Sequence, residues 1–269
     1  MDKETKAKNT TRNVLKSSYA VLETIDKRKE ILLGNLPKRK GNLKKQLSLI
    51  SQELDLISDE RLIHKGVCYN NQKTSKHTTT RWVFLDNIDN IKIKHIEEKI
   101  FPITEVRVNS KKPFNPQQFS HAIFIERHFL ERIVERLGID NIGLILQTCR
   151  SYITALIQNE KACDSMLEDN EIRMLTEDSY AYVRLMTFEG KFKKKYQCDF
   201  GYVLSTFLPQ NMWSKRISAL LAPLLTGIKA VNDNPSNEGY KAVVIFKPST
   251  LKEETKIEIM PDEIETIIS

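Results

Sequence analysis

The hydrophobic period of this chain switches once, near Gly66, and that switch limits its folds more than any single motif does. Before it, Leu43, Leu47, Ile50, Leu54 and Ile57 alternate by four and three, a heptad seam. Leu15, Tyr19, Leu22, Leu33 and Leu36 hold helical spacing upstream, on either side of a charged run. Leu36-Pro37-Lys38-Arg39-Lys40-Gly41-Asn42 separates the two segments as a turn, so residues 11–63 are predicted to form an antiparallel helical hairpin. Its apolar stripe is narrow and must pack on something: the rest of the chain, a protein partner that regulates it, or a second copy in a homo-oligomer.

After the switch come short β-prone runs at 66–70, 81–86, 91–96 and 105–109, separated by polar turns. Lys111-Lys112-Pro113-Phe114-Asn115-Pro116 carries two prolines within four residues and reads as a linker. Beyond it, Ala122–Ile125 finishes a strand and Glu126–Leu137 is a helix closed by Gly138. A second helix, N-capped by Asp140 or Asn141, runs to about Gln158 with an apolar face that includes Ile145, Leu146, Cys149 and Ile153. Four antiparallel strands are expected at Ile172–Leu175, Ser179–Thr187, Phe192–Cys198 and Gly201–Phe207. A helix at Met212–Val231 and strands at Lys241–Lys247 and Lys256–Met260 follow. The expected class is α+β: a basic helical hairpin (1–65), a small β-rich region (66–118), and two helices on an antiparallel sheet with a C-terminal extension (119–269).

Charge is unevenly placed. Residues 1–50 carry 13 Lys+Arg against 5 Asp+Glu, which leaves 29 and 30 for the other 219 residues, so the whole surplus of +7 lies in the hairpin. Such block asymmetry suits contact with nucleic acid or an acidic partner; the plainer alternative is a solvated, Lys-rich hairpin. No run approaches a membrane span, the most apolar stretch, Ile217–Val231, being short and holding Lys229. The basic first residues lack the apolar core of a signal peptide. Cys68, Cys149, Cys163 and Cys198 are widely spaced, which points to a reducing, cytoplasmic setting.

Chemistry concentrates in the helix after Ile125. His128, Arg132 and Arg136 fall at i, i+4 and i+8 and share one helical face, while Phe129, Leu130, Ile133, Val134 and Leu137 line the other. Neighbouring guanidiniums disfavour imidazolium, so His128 is expected to be neutral and able to accept a proton at pH 7. The guanidiniums also suit a phosphate. Glu131 and Glu135 offer the plainer alternative, surface ion pairs along the helix. Downstream, Tyr182 and Arg184 share a strand face by period two, a basic run includes Lys193 and Lys195, and Thr206 lies near the end of the last strand. His121 is the second candidate histidine, less well placed than His128. His64, His77 and His95 show no metal-ligand spacing, so no metal and no other cofactor is expected. Phosphate-loop, dinucleotide and nucleophile-elbow motifs are absent from the sequence.

A helix bearing His-x-x-x-Arg-x-x-x-Arg, a second helix, and a meander ending in the Thr206 strand resembles the barnase/RelE-like superfamily of small bacterial ribonucleases and toxins. The likeness covers roughly Phe119 to Trp213, about a third of the chain, and rests on His128, Arg132, Arg136, Arg184 and Leu204–Pro209. It implies an RNA-binding, metal-independent endoribonuclease of toxin or defence type that leaves a 2′,3′-cyclic phosphate. His128 would be the acid or base, with Arg132, Arg136 and Arg184 as phosphate ligands and Thr206 in support. Tyr182, Lys193 and Lys195 would hold substrate. The rival expectation is a non-catalytic assembly protein that binds nucleic acid or an acidic partner through its N-terminal hairpin.

Overall fold

A computed structural model describes residues 62–72, 75–85, 89–93, 96–139, 141–167, 170–189, 193–194, 199–234 and 241–251, together with isolated helical positions before residue 53. The hairpin expected over 11–63, the oligomer contact assigned to it and the strand at Lys256–Met260 fall mostly or wholly outside these residues. The described chain is α+β and divides into two units, residues 1–121 with 140–147, and residues 122–139 with 148–269.

The first unit holds strands β1 (Leu62–Gln72), β2 (Ser75–Leu85), β3 (Asp89–Ile93), β4 (Ile96–Asn109) and the first ten residues of β5 (Lys112–Glu126). Their order is β1-β2-β4-β5, with β3 beside β4. Strand β1 begins at Leu62, inside the segment expected to end the second hairpin helix. Lys112–Pro116 is strand rather than linker: proline fixes φ within the extended range, which stops a helix but not a strand. Period two sorts this sheet sharply. Trp82 faces Val106 and Thr80 faces Val108 on the buried side, while Arg81 lies directly opposite Arg107 on the other.

The second unit begins within β5, at Ala122. Its elements are helices α1 (Arg127–Leu137), α2 (Ile142–Gln158, here from Thr148) and α3 (Glu160–Met166), strands β6 (Glu171–Leu175), β7 (Ser179–Thr187) and β8 (Phe200–Pro209), helix α4 (Lys215–Asn232) and strand β9 (Val244–Phe246). Sheet order is β5-β8-β7-β6-β9. The sheet is mixed, not purely antiparallel: β5 runs parallel to β8, pairing Ile123 with Tyr202 and Ile125 with Leu204, because the helices return the chain across the sheet. Lys193 and Lys194 are helical where a strand was expected, in keeping with lysine's good helix and poor strand propensity. Of the strand expected at Lys241–Lys247, Val244–Phe246 is observed.

Helix α1 buries Phe129, Leu130, Ile133 and Val134 and ends at Gly138, whose φ of 68° is left-handed and whose N–H bonds the Val134 carbonyl. Leu137, expected on the buried side, is 40% exposed, since the chain turns away at the next residue. Phe129 meets Phe207 of β8 and Tyr152 of α2 edge-on, with centroids 5.9 and 6.3 Å apart. Tyr152 reaches Ser179 Oγ at 2.6 Å, and Thr176 joins them at 2.9 Å, so this buried hydroxyl set is satisfied. On the other side of the sheet, Leu175, Tyr180 and Phe246 form a core with Leu221, Leu224 and Ile228 of α4.

Candidate functional site

Two faces of the second unit carry the residues singled out from the sequence. Thr206 and Phe207 are consecutive in β8 and face opposite sides of the sheet. Phe207 packs on α1, so Thr206 and its cross-strand partner Tyr182 lie on the side away from that helix. His128 and Arg132 therefore form one group, and Tyr182 and Thr206 another across the sheet.

On α1, Arg132 Nε donates to His128 Nε2 at 3.1 Å. An accepting Nε2 places the ring proton on Nδ1, which lies 3.9 Å from Glu131. Partial burial and the Arg132 cation hold the His128 pKa below its ordinary value, with Glu131 opposing them. The ring is half-exposed and neutral at pH 7. The same face carries ion pairs, Arg127 with Glu131 at 2.9 Å and Arg132 with Glu135. Arg136 donates to the buried Phe207 carbonyl and so ties the end of α1 to β8.

Across the sheet, Tyr182 faces Thr206 on β8 and Arg173 on β6. The Arg173 guanidinium stacks over the Tyr182 ring at 4.1 Å, and Tyr180 meets that ring at a near right angle. Arg173 is thus a cation beside Tyr182 that was not picked out from the sequence; its alternation with Ile172 and Met174 in a strand was the available signal. Ser205 is the extra residue of a β-bulge, bonding the Tyr182 carbonyl at 3.3 Å. Arg184 lies 3.9 Å from Glu126. Lys193 pairs with Asp199, which raises its pKa, and Lys195 lies outside the described residues.

The first unit holds a constellation that sequence reasoning touched only through His121. Glu105 of β4 has no exposed side-chain surface and is met by Arg81 of β2, Arg107 of its own strand and His121 of β5. Arg81 donates through Nε and Nη2 at 2.6 and 3.2 Å; Arg107 uses the same two nitrogens, the second at 3.1 Å. His121 Nε2 lies 2.8 Å from Oε2. Burial would raise the Glu105 pKa, but the bonds from His121, Arg107 and Arg81 prevail and hold it well below the usual carboxylate range. Glu105-x-Arg107 in a strand signalled a shared face; the approach of Arg81 and His121 depends on strand pairing and left no local trace.

Among the described residues no His, Cys, Asp and Glu cluster suits a metal ion, and no helix is long and apolar enough to cross a membrane. No family model, curated protein or solved structure matches the chain.

Proposed function

We propose that this chain binds RNA and cleaves it without a metal, with His128 as general base and Arg132 as phosphate ligand. The observation that carries the reading is the 3.1 Å bond from Arg132 Nε to His128 Nε2, which couples a neutral imidazole to a guanidinium on one partly exposed helical face. In this reading an incoming phosphodiester draws Arg132 to its oxygens and frees Nε2. Nε2 takes the proton of the ribose 2′-hydroxyl, the 2′-oxygen bonds to phosphorus, and the bond to the 5′-oxygen breaks. The 5′-oxygen takes a proton from water and the hydroxide so formed takes the proton from the His128 imidazolium, which leaves a 2′,3′-cyclic phosphate, a 5′-hydroxyl and neutral His128. Arg132 offsets the charge that builds on the phosphoryl oxygens. Neither Tyr182 nor Thr206 enters this centre; with Arg173 they supply a separate surface for holding the RNA strand.

The test is an RNA oligonucleotide beside its all-deoxy counterpart, both in EDTA. Cleavage of the RNA alone supports the reading, because only RNA supplies the nucleophile. Cleavage of both, or of neither, contradicts it.

A second reading is a non-catalytic interaction protein, and the helix-face ion pairs favour it. Arg127 and Arg132 already have the carboxylates of Glu131 and Glu135, and Arg136 serves the Phe207 carbonyl. Binding of RNA with no cleavage under any metal condition would favour this second reading.

A further inference from the structure

We propose that Glu131 is the positioning residue of His128: its carboxylate keeps the imidazole proton on Nδ1 and so leaves Nε2 as the basic nitrogen. The inference rests on the reading of His128 as general base. Glu131 lies three residues after His128 and four after Arg127, so the three side chains meet on one side of α1. Arg127 Nε donates to Glu131 Oε1 at 2.9 Å, which pins that oxygen and leaves the other, Oε2, facing His128 Nδ1 at 3.9 Å. The carboxylate is the less exposed partner, 14% against 45% for the imidazole, so it is the fixed member and the ring is the one that adjusts.

In the free protein the Arg132 N–H on Nε2 fixes the tautomer. The reaction removes that restraint, because Arg132 leaves Nε2 for the phosphate before the nitrogen can take a proton. The tautomer is then decided at Nδ1, by the group that accepts its hydrogen. Glu131 faces that nitrogen, whereas Glu135 is bonded by Arg132. In the other tautomer Nε2 carries the hydrogen and cannot act as a base. Charge acts in the same direction. His128 is the second residue of α1, where partial burial, the Arg132 and Arg136 cations and the positive end of the helix dipole all disfavour the imidazolium that a working base becomes. Glu131 and Glu135 oppose them, Glu131 the more strongly. The residues of other elements that meet Phe129 on the buried side of α1, Phe207 and Tyr152, carry no charge.

The test reads the ring and the reaction separately. ¹⁵N spectra of His128 in the full chain carrying Arg132→Met, which lacks the bond to Nε2, should show the proton on Nδ1. Adding Glu131→Ala should move it to Nε2, the form that an unpartnered imidazole favours in water. In single-turnover cleavage in EDTA, Glu131→Ala alone should be slower by about tenfold to hundredfold at unchanged RNA affinity, a smaller loss than that of His128→Ala. Arg127→Met removes the helix ion pair but keeps the carboxylate; it should retain the Nδ1 proton in the Arg132→Met background and lose less rate than Glu131→Ala. Should Glu131→Ala not fold, Glu131→Gln takes its place and should lower the His128 pKa, since a carboxylate favours the imidazolium. The assignment is overturned if removing the carboxylate leaves both tautomer and pKa as they were, if Glu131→Ala cleaves as fast as an active wild type, or if Arg127→Met reproduces its loss in full. RNA left intact by a wild type whose ring responds as expected overturns the proposed function instead.

Discussion

Arg132 Nε donates to His128 Nε2 at 3.1 Å, one helical turn away, and so occupies the nitrogen that a general base must keep open. The pairing favours the neutral imidazole, and under the proposed function it makes proton abstraction conditional on Arg132 moving to another anion. Under the proposed function, the phosphate of the RNA is that anion.

A pH dependence follows. His128 is needed neutral, and burial with Arg132 holds its pKa below the ordinary value of 6.5. Single-turnover cleavage should therefore rise with pH along an acid limb centred below 6.5. In Arg132→Gln the limb should move up towards about 6.5, with a lower plateau. A rate profile between pH 4 and 8 measures both effects; an unmoved limb would count against the pairing.

Arg136 is expected to act on stability. Its side chain satisfies the carbonyl of Phe207, a residue 1% exposed, from the last turn of α1. Arg136→Met leaves that oxygen without its donor and should cost about 1–3 kcal/mol, read as a lower urea midpoint.

Gly201 has no room for a side chain. A Cβ there would come within 2.7 Å of the Ala122 carbonyl and of the Phe124 and Phe188 rings, which themselves meet edge-on with centroids 5.4 Å apart. Gly201→Ala should destabilise the second unit by about 1–3 kcal/mol in equilibrium unfolding.

Glu105 gives the first unit a distinct acid response. Its folded pKa is depressed, so the stability it contributes is complete above the unfolded value, near 4.3, and is lost as pH falls from there through the folded value. Glu105→Gln should cost about 3–5 kcal/mol at pH 7, since two half-buried guanidiniums lose their shared counter-ion. The gap between the two proteins should begin to close only below about pH 4.3. Denaturant midpoints across pH 3–7 measure it.

Local signals were the readable ones. The four-residue rhythm of α1, Gly138 as its left-handed cap, and Asn141, whose side chain accepts from the Leu144 N–H at 3.2 Å, are all encoded within a few positions. What escaped depends on contacts distant in sequence. The parallel pairing of β5 with β8 joins Ile123 to Tyr202, and the Arg81–Glu105 bond spans 24 residues. The pairing of Tyr182 with Thr206 escaped because a strand was expected between theirs, at Phe192–Cys198, and the face they share escaped because the bulge at Ser205 resets the phase of β8 just before Thr206.

The most direct measurement is the single-turnover rate of RNA cleavage in EDTA for wild type beside His128→Ala, with the product ends identified. The expected result is a 2′,3′-cyclic phosphate in the wild-type reaction and a rate about 10²- to 10⁴-fold lower in the variant, at unchanged RNA affinity. Equal rates in the two proteins, or a wild type that binds RNA and leaves it intact, would contradict it.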